Sequence, residues 1–164
     1  MASRKPKRGL VLGAGGVLGA AWSVGALCAL EEVIGFDPRE AEVIIGTSAG
    51  SVLASLVGGG VSPRQLRDHQ LGVPITEGPL AGFSWDYERA TTKRPGVPRL
   101  FGPGSGKLLR SSARRLRQMP PTAVLSGFLP QGQGSLARIG HLVEAITPVG
   151  EWSPHPNLWI CAMN

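Results

Sequence analysis

Two glycine clusters, each directly after a short apolar run, constrain this chain more than any other feature. Six glycines fall between Gly9 and Gly25, four of them within Gly13-Ala14-Gly15-Gly16-Val17-Leu18-Gly19, and a second cluster, Gly46-Thr47-Ser48-Ala49-Gly50, follows later. A glycine costs ~1 kcal/mol in a helix interior relative to alanine, so the first cluster is a poor continuous helix and reads as a junction. The runs that lead into the clusters, residues 9–13 and 42–46, are short and apolar and read as buried strands. Residues 17–34 read as a helix with Leu18, Trp22, Leu27, Leu30 and Ile34 available for burial. Glu31 and Glu32 are its first charges, and Gly35 supplies the C-terminal stop. Residues 49–57 form a second helix of mostly small side chains. Strands alternating with helices imply an α/β fold, a parallel sheet with helices on both faces.

The remainder continues this plan. Ser62 as N-cap and Pro63 at the first helical position open a third helix that runs through His69. Residues 71–106 are rich in glycine and proline without sustained period and read as loop, a cover over a site. Residues 107–119 read as a basic amphipathic helix with Leu108, Leu109, Ala113 and Leu116 apolar. Residues 135–146 form another helix, striped by Leu136, Ile139, Leu142, Val143 and Ile146 and ended by Pro148, and residues 158–163 form a strand. No internal repeat is visible. The expected organisation is a basic tail over residues 1–8 and a single domain over residues 9–164, which suits the chain's 164 residues.

Composition narrows the class. With 17% charged residues the chain is not a disordered one, and Cys28 and Cys161 are too few for a disulfide framework and lie in no metal-ligand spacing. Both read as small core residues in a reducing compartment, which makes a cytoplasmic location the expectation, with no metal or cofactor. The uncharged stretches 9–30 and 43–63 also allow a membrane hairpin or a leader peptide. The density of glycine in the first weighs against both.

The second cluster carries chemistry. A serine at the centre of Gly46-Thr47-Ser48-Ala49-Gly50, between a buried strand and a helix, is the context a nucleophile elbow requires. The flanking glycines Gly46 and Gly50 keep side chains out of a sharp turn, and the helix N-terminus adds positive potential near a developing oxyanion. The bland alternative is a strand-to-helix connection with an incidental serine. The first cluster offers backbone N–H groups that can converge on an anion. One use is an oxyanion hole facing Ser48, since loops after neighbouring parallel strands share one edge of the sheet. The other is pyrophosphate binding by residues 13–19 in a nucleotide- or dinucleotide-binding domain, which wants an acid at the end of the second strand, where this chain has Gly46-Thr47-Ser48.

A glycine-rich loop after the first strand, paired with Gly-Thr-Ser-Ala-Gly further on, resembles the patatin-like phospholipases. The resemblance is closest over the first sixty or so residues. It implies a lipid acyl hydrolase working through a serine–aspartate dyad. Ser48 would be the nucleophile, and the backbone of Ala14, Gly15 and Gly16 would form the oxyanion hole. Ala14 stands where the family often has glycine, and Leu18 where it often has arginine or lysine. The family's aspartate lies in an Asp-Gly pair that this chain does not contain; its aspartates are Asp37, Asp68 and Asp86. The expectation is therefore the N-terminal portion of such a domain, truncated at the C-terminus, with the aspartate beyond this chain and the fragment alone inactive.

Other constellations are weaker. His141 and His155 follow Ser48 with Asp68 and Asp86 between, the order of an α/β-hydrolase triad. That fold lays down more strands before its serine, so these histidines, like His69, read as structural or solvated. The segment 102–107 imitates a phosphate loop but fails at Phe101 and Leu108. The net charge of +6 suits an anionic partner, and 5% aromatics leave few platforms for stacking bases, so no nucleic acid is expected. Lys107, Arg110, Arg114, Arg115 and Arg117 are candidates for transient contact with an anionic lipid surface, the alternative being an ordinary solvated helix face.

Overall fold

The computed structural model describes residues 7–83 and 136–162. The chain divides into two compact units, one of residues 1–87 with 137–164 and one of residues 88–136; the second lies almost wholly outside the described residues. The basic helix expected at 107–119 and Asp86 both lie outside the described residues.

The first unit is built on three parallel strands, β1 (Gly9–Leu12), β2 (Val43–Thr47) and β3 (Leu158–Cys161), in the order β1-β2-β3. The register aligns Leu10 with Ile44 and Ile44 with Leu158, so one buried apolar row crosses the sheet. Burying a side chain such as Ile44 completely is worth about 1.5–3 kcal/mol. The α/β class and the parallel sheet are as expected. Among the described residues the helices account for the face that carries this row. On the other face Val11 and Trp159, aligned through Ile45, are exposed.

Helix α2 (Ala49–Gly58) lies on the buried row. It can come close because Gly50, Ala54 and Gly58 recur at intervals of four and form one small-residue stripe. A Cβ added to Gly58 would stand 2.8 Å from Ser153 Oγ and 3.3 Å from His155 Cβ. Helix α1 (Gly16–Ile34) connects β1 to β2 and buries only Val24 and Leu27, with Ala20 and Cys28 packed beside them. These four share one face, which differs from the sequence expectation: Leu18 and Trp22 are 85% and 76% exposed, and Leu30 and Ile34 are also exposed. The docking face is the one that packs against α2 and the helix over residues 63–70. By length and composition α1 could cross a membrane. As the crossover between two strands paired residue by residue, it cannot leave the body without breaking β1 from β2. The helix ends at Gly35, whose left-handed φ of 61° lets its N–H and that of Phe36 close on the Glu31 and Leu30 carbonyls. Phe36 is buried beneath the Arg8 guanidinium, 5.1 Å from the ring centre.

Helix α3 (Pro63–Gln70) opens with a full capping box. Ser62 Oγ accepts from the Gln65 N–H at 3.2 Å, while Gln65 Oε1 accepts from the Ser62 N–H at 3.0 Å. The loop after α3 is tied back to it: Gln65 Nε2 donates to the Glu77 carbonyl at 2.6 Å, Leu80 is fully buried, and the Phe83 ring sits 5.8 Å from that of His69. Helix α4 (Ala137–Glu144) buries Leu142, and Ile146 just beyond it packs on Gly59. Cys28 is half-buried against the core as expected, whereas Cys161 is exposed at the end of β3, where no described helix covers it.

The start of β3 is pinned by His155. Its Nε2 lies 2.8 Å from the Ala41 carbonyl, an acceptor, and its Nδ1 accepts from the Asn157 N–H at 3.2 Å. The proton of the ring is thereby assigned to Nε2. Asn157 in turn bonds the Glu42 carbonyl through Nδ2 at 2.9 Å and receives the Ile44 N–H at 3.0 Å. Losing two hydrogen bonds at this joint should cost about 2 kcal/mol, so His155→Ala is expected to lower the urea midpoint accordingly, measured by circular dichroism. His69 gives a second expectation. Burial pushes its imidazole below the ordinary 6.5. Below that value the unfolded chain takes up a proton that the folded one refuses, so stability falls as pH falls. Urea midpoints between pH 7.5 and 5 should drop less for His69→Leu than for the wild type.

Candidate active site

Both glycine clusters fold as strand-to-helix junctions at the same edge of the sheet. β1 runs into Gly13, Ala14 and Gly15 before α1, and β2 runs into Ser48 before α2. The two junctions touch. A Cβ on Gly50 would meet the Leu12 carbonyl oxygen and stand 2.7 Å from that of Gly13; a Cβ on Gly46 would meet the Gly50 carbonyl and stand 2.7 Å from both Ser51 Cα and Ala54 Cβ. Only glycine fits at either position. The first junction is similarly tight, since a Cβ on Gly15 would stand 2.7 Å from Gly19 Cα.

Ser48 is held in an unusual backbone state. With φ 54° and ψ −125° it is the one non-glycine residue of positive φ among the described residues. Such a conformation costs about 1–3 kcal/mol and persists only where the surroundings over-determine it. Here they do so through β2 behind it, the two glycines beside it and α2 ahead. The Ser48 side chain makes no capping bond to its own helix, and the residue is exposed. Its carbonyl receives two hydrogen bonds from one residue: the Ser51 N–H at 2.9 Å and the Ser51 hydroxyl at 2.5 Å. Ser51 was not singled out by the sequence reading. A serine three positions after a helix-capping residue was the available signal.

Ala14, Gly15 and Gly16 are exposed, and Gly16 enters α1 with φ 58°, a left-handed state that suits glycine. The N–H groups of a first helical turn have no acceptor within the helix. Helix N-termini carry partial positive charge, and α1 and α2 begin at the two neighbouring junctions, α1 at Gly16 after Gly15 and α2 at Ala49 after Ser48. A family model for patatin-like phospholipase matches residues 10–149.

The chain belongs to the patatin-like phospholipase family. Against individual curated proteins and against solved structures, nothing matches. Family membership fits the parallel α/β sheet and makes this a protein of a lipid acyl hydrolase family rather than a dinucleotide-binding one.

The other candidates stand elsewhere or are engaged. Asp37 is gripped by Arg39, its Oδ2 2.6 Å from Nη2, and that guanidinium holds the carboxyl below its usual range. Asp68 pairs with Arg67 at 2.8 Å. His141 is exposed and faces Glu144, with Nδ1 3.3 Å from Oε2, and His155 is the structural pin at β3. None of these is brought to Ser48 by the described contacts. The contacts of Gly46 and Gly50 leave no room for a side chain. Gly50→Ala forces a methyl into the Leu12 and Gly13 carbonyls and is expected to destabilise the fold by about 2–3 kcal/mol, read as a lowered Tm by calorimetry.

Proposed function

We propose that this protein hydrolyses lipid esters with Ser48 as nucleophile. The observation that carries the reading is the positive φ of Ser48, exposed at the N-terminus of α2 in a chain of the patatin-like phospholipase family. That conformation supports reading the turn as a nucleophile elbow, with Gly46 and Gly50 as the residues that make it possible. Ser48 Oγ attacks the ester carbonyl carbon and gives its proton to a carboxylate. The carbonyl oxygen becomes an oxyanion held by backbone N–H groups of Ala14, Gly15 and Gly16. Collapse expels the alcohol, which takes the proton back, and water then releases the acid from Ser48 by the same steps. The carboxylate is assigned to an aspartate of the Asp-Gly pair that the family resemblance implies. Asp37 and Asp68, each paired with an arginine, are poor substitutes.

An apolar substrate suits the rim of the site. The first two turns of α1, which begin at the Gly15–Gly16 junction, expose Val17 (86%), Leu18 and Trp22. Leu18 takes the place of a cation common in the family and keeps this rim uncharged. Transient contact with anionic lipid through Lys107, Arg110, Arg114, Arg115 and Arg117 is proposed from their charge, and with it a cytoplasmic location at the membrane periphery. Binding to vesicles should then rise with their content of acidic lipid; equal binding to neutral vesicles contradicts that contact.

The nucleophile is tested by Ser48→Ala. Hydrolysis of a p-nitrophenyl acyl ester by the domain together with its Asp-Gly region should fall by about three orders of magnitude or more, with an unchanged circular dichroism spectrum. Turnover retained by the variant rejects Ser48.

A further inference from the structure

We infer that Ser51 is a positioning residue that sets the backbone of Ser48 for attack, an inference resting on Ser48 being the nucleophile. The torsion ψ of Ser48 is the direction in which its carbonyl points. That carbonyl is held twice by Ser51, through the amide at 2.9 Å and the hydroxyl at 2.5 Å. The amide bond is common to any residue that follows a helix cap. The hydroxyl bond is not, and it acts on ψ of Ser48, which stands at −125° beside the positive φ of 54°. A carbonyl bonded by both donors has little freedom to swing, which fixes ψ of Ser48 and so the backbone from which its side chain projects. Ser51 does not itself reach the substrate; it acts through Ser48.

The position has little room for another device. Ser51 Cα would be 2.7 Å from a Cβ on Gly46, so the turn of α2 carrying Ser51 is pressed against β2 and the hydroxyl is directed back along the helix. The next turn supplies an internal comparison. Ser55 donates its hydroxyl to the Ser51 carbonyl at 2.9 Å, the same type of bond one turn on, without touching Ser48. A purely structural role predicts equal effects of Ser51→Ala and Ser55→Ala. A positioning role predicts that they differ at Ser48 alone.

The test compares the wild type, Ser51→Ala, Ser51→Thr and Ser55→Ala by the rate at which a fluorophosphonate labels Ser48, located by peptide mass spectrometry. Where ester turnover is measurable, kcat and KM are read separately. Ser51→Ala should label about five- to tenfold more slowly, the effect of one net hydrogen bond, with the loss in kcat and KM unchanged. Ser51→Thr, which keeps the hydroxyl, should recover most of the rate, and Ser55→Ala should label like the wild type at a similar cost in Tm. Equal labelling by Ser51→Ala and the wild type, or equal slowing by Ser55→Ala, overturns the inference. If the wild type, carried with its Asp-Gly region as in the ester assay, is not labelled at Ser48, the nucleophile reading fails instead. The crystal structure of Ser51→Ala then still decides the clamp, by whether ψ at Ser48 has left the region of −125°.

Discussion

Helix α2 meets the sheet along a stripe of glycine and alanine, and the rest of the structure depends on that close approach. Gly50 lies on the Leu12 and Gly13 carbonyls, Ala54 on Gly46, and Gly58 on the segment that feeds β3. A larger residue at any of these positions would lift the helix from the sheet and uncover the row of Leu10, Ile44 and Leu158. The same contact brings the two junctions together, so the stability of the core and the geometry of the candidate site rest on one interface. Dispersion and apolar burial along α2 offset the local cost of holding Ser48 in a sparsely populated conformation.

That coupling explains why the strain falls on a serine. A glycine at position 48 would adopt positive φ without penalty but would offer no hydroxyl, and a longer side chain would have to find space above a turn already closed by Gly46 and Gly50. Serine leaves a short hydroxyl arm exposed at the start of α2. Ser51 then spends its own hydroxyl on the Ser48 carbonyl rather than on solvent. Two of the other candidate residues are engaged in joints of the scaffold: His155 pins β3 to the approach of β2, and Asp37 with Arg39 closes the turn before β2.

Much of this was legible in the residues. The glycine clusters marked both junctions, the apolar runs gave β1 and β2 to within a residue, and Gly35 and Ser62-Pro63 gave a helix end and a helix start. The reason is that these signals are local: a cap, a breaker or a short apolar run acts within a few positions. The face on which α1 docks was not legible. Leu18 and Trp22 are the larger apolar residues, yet the helix turns Ala20, Val24, Leu27 and Cys28 inward, because what decides is fit against α2 and α3, distant in sequence. The exposure of Cys161 and the clamp from Ser51 were missed for the same reason. Each depends on how closely two backbones approach, and sequence spacing reports that only weakly.

The most direct measurement of the central claim is a crystal structure of the protein after reaction with a phosphonate ester, a stable mimic of the tetrahedral intermediate. The account predicts phosphorus bonded to Ser48 Oγ, with one phosphoryl oxygen about 2.7–3.1 Å from backbone nitrogens of the Ala14, Gly15 and Gly16 loop. An adduct on a different residue, or a phosphoryl oxygen turned away from that loop, would contradict it.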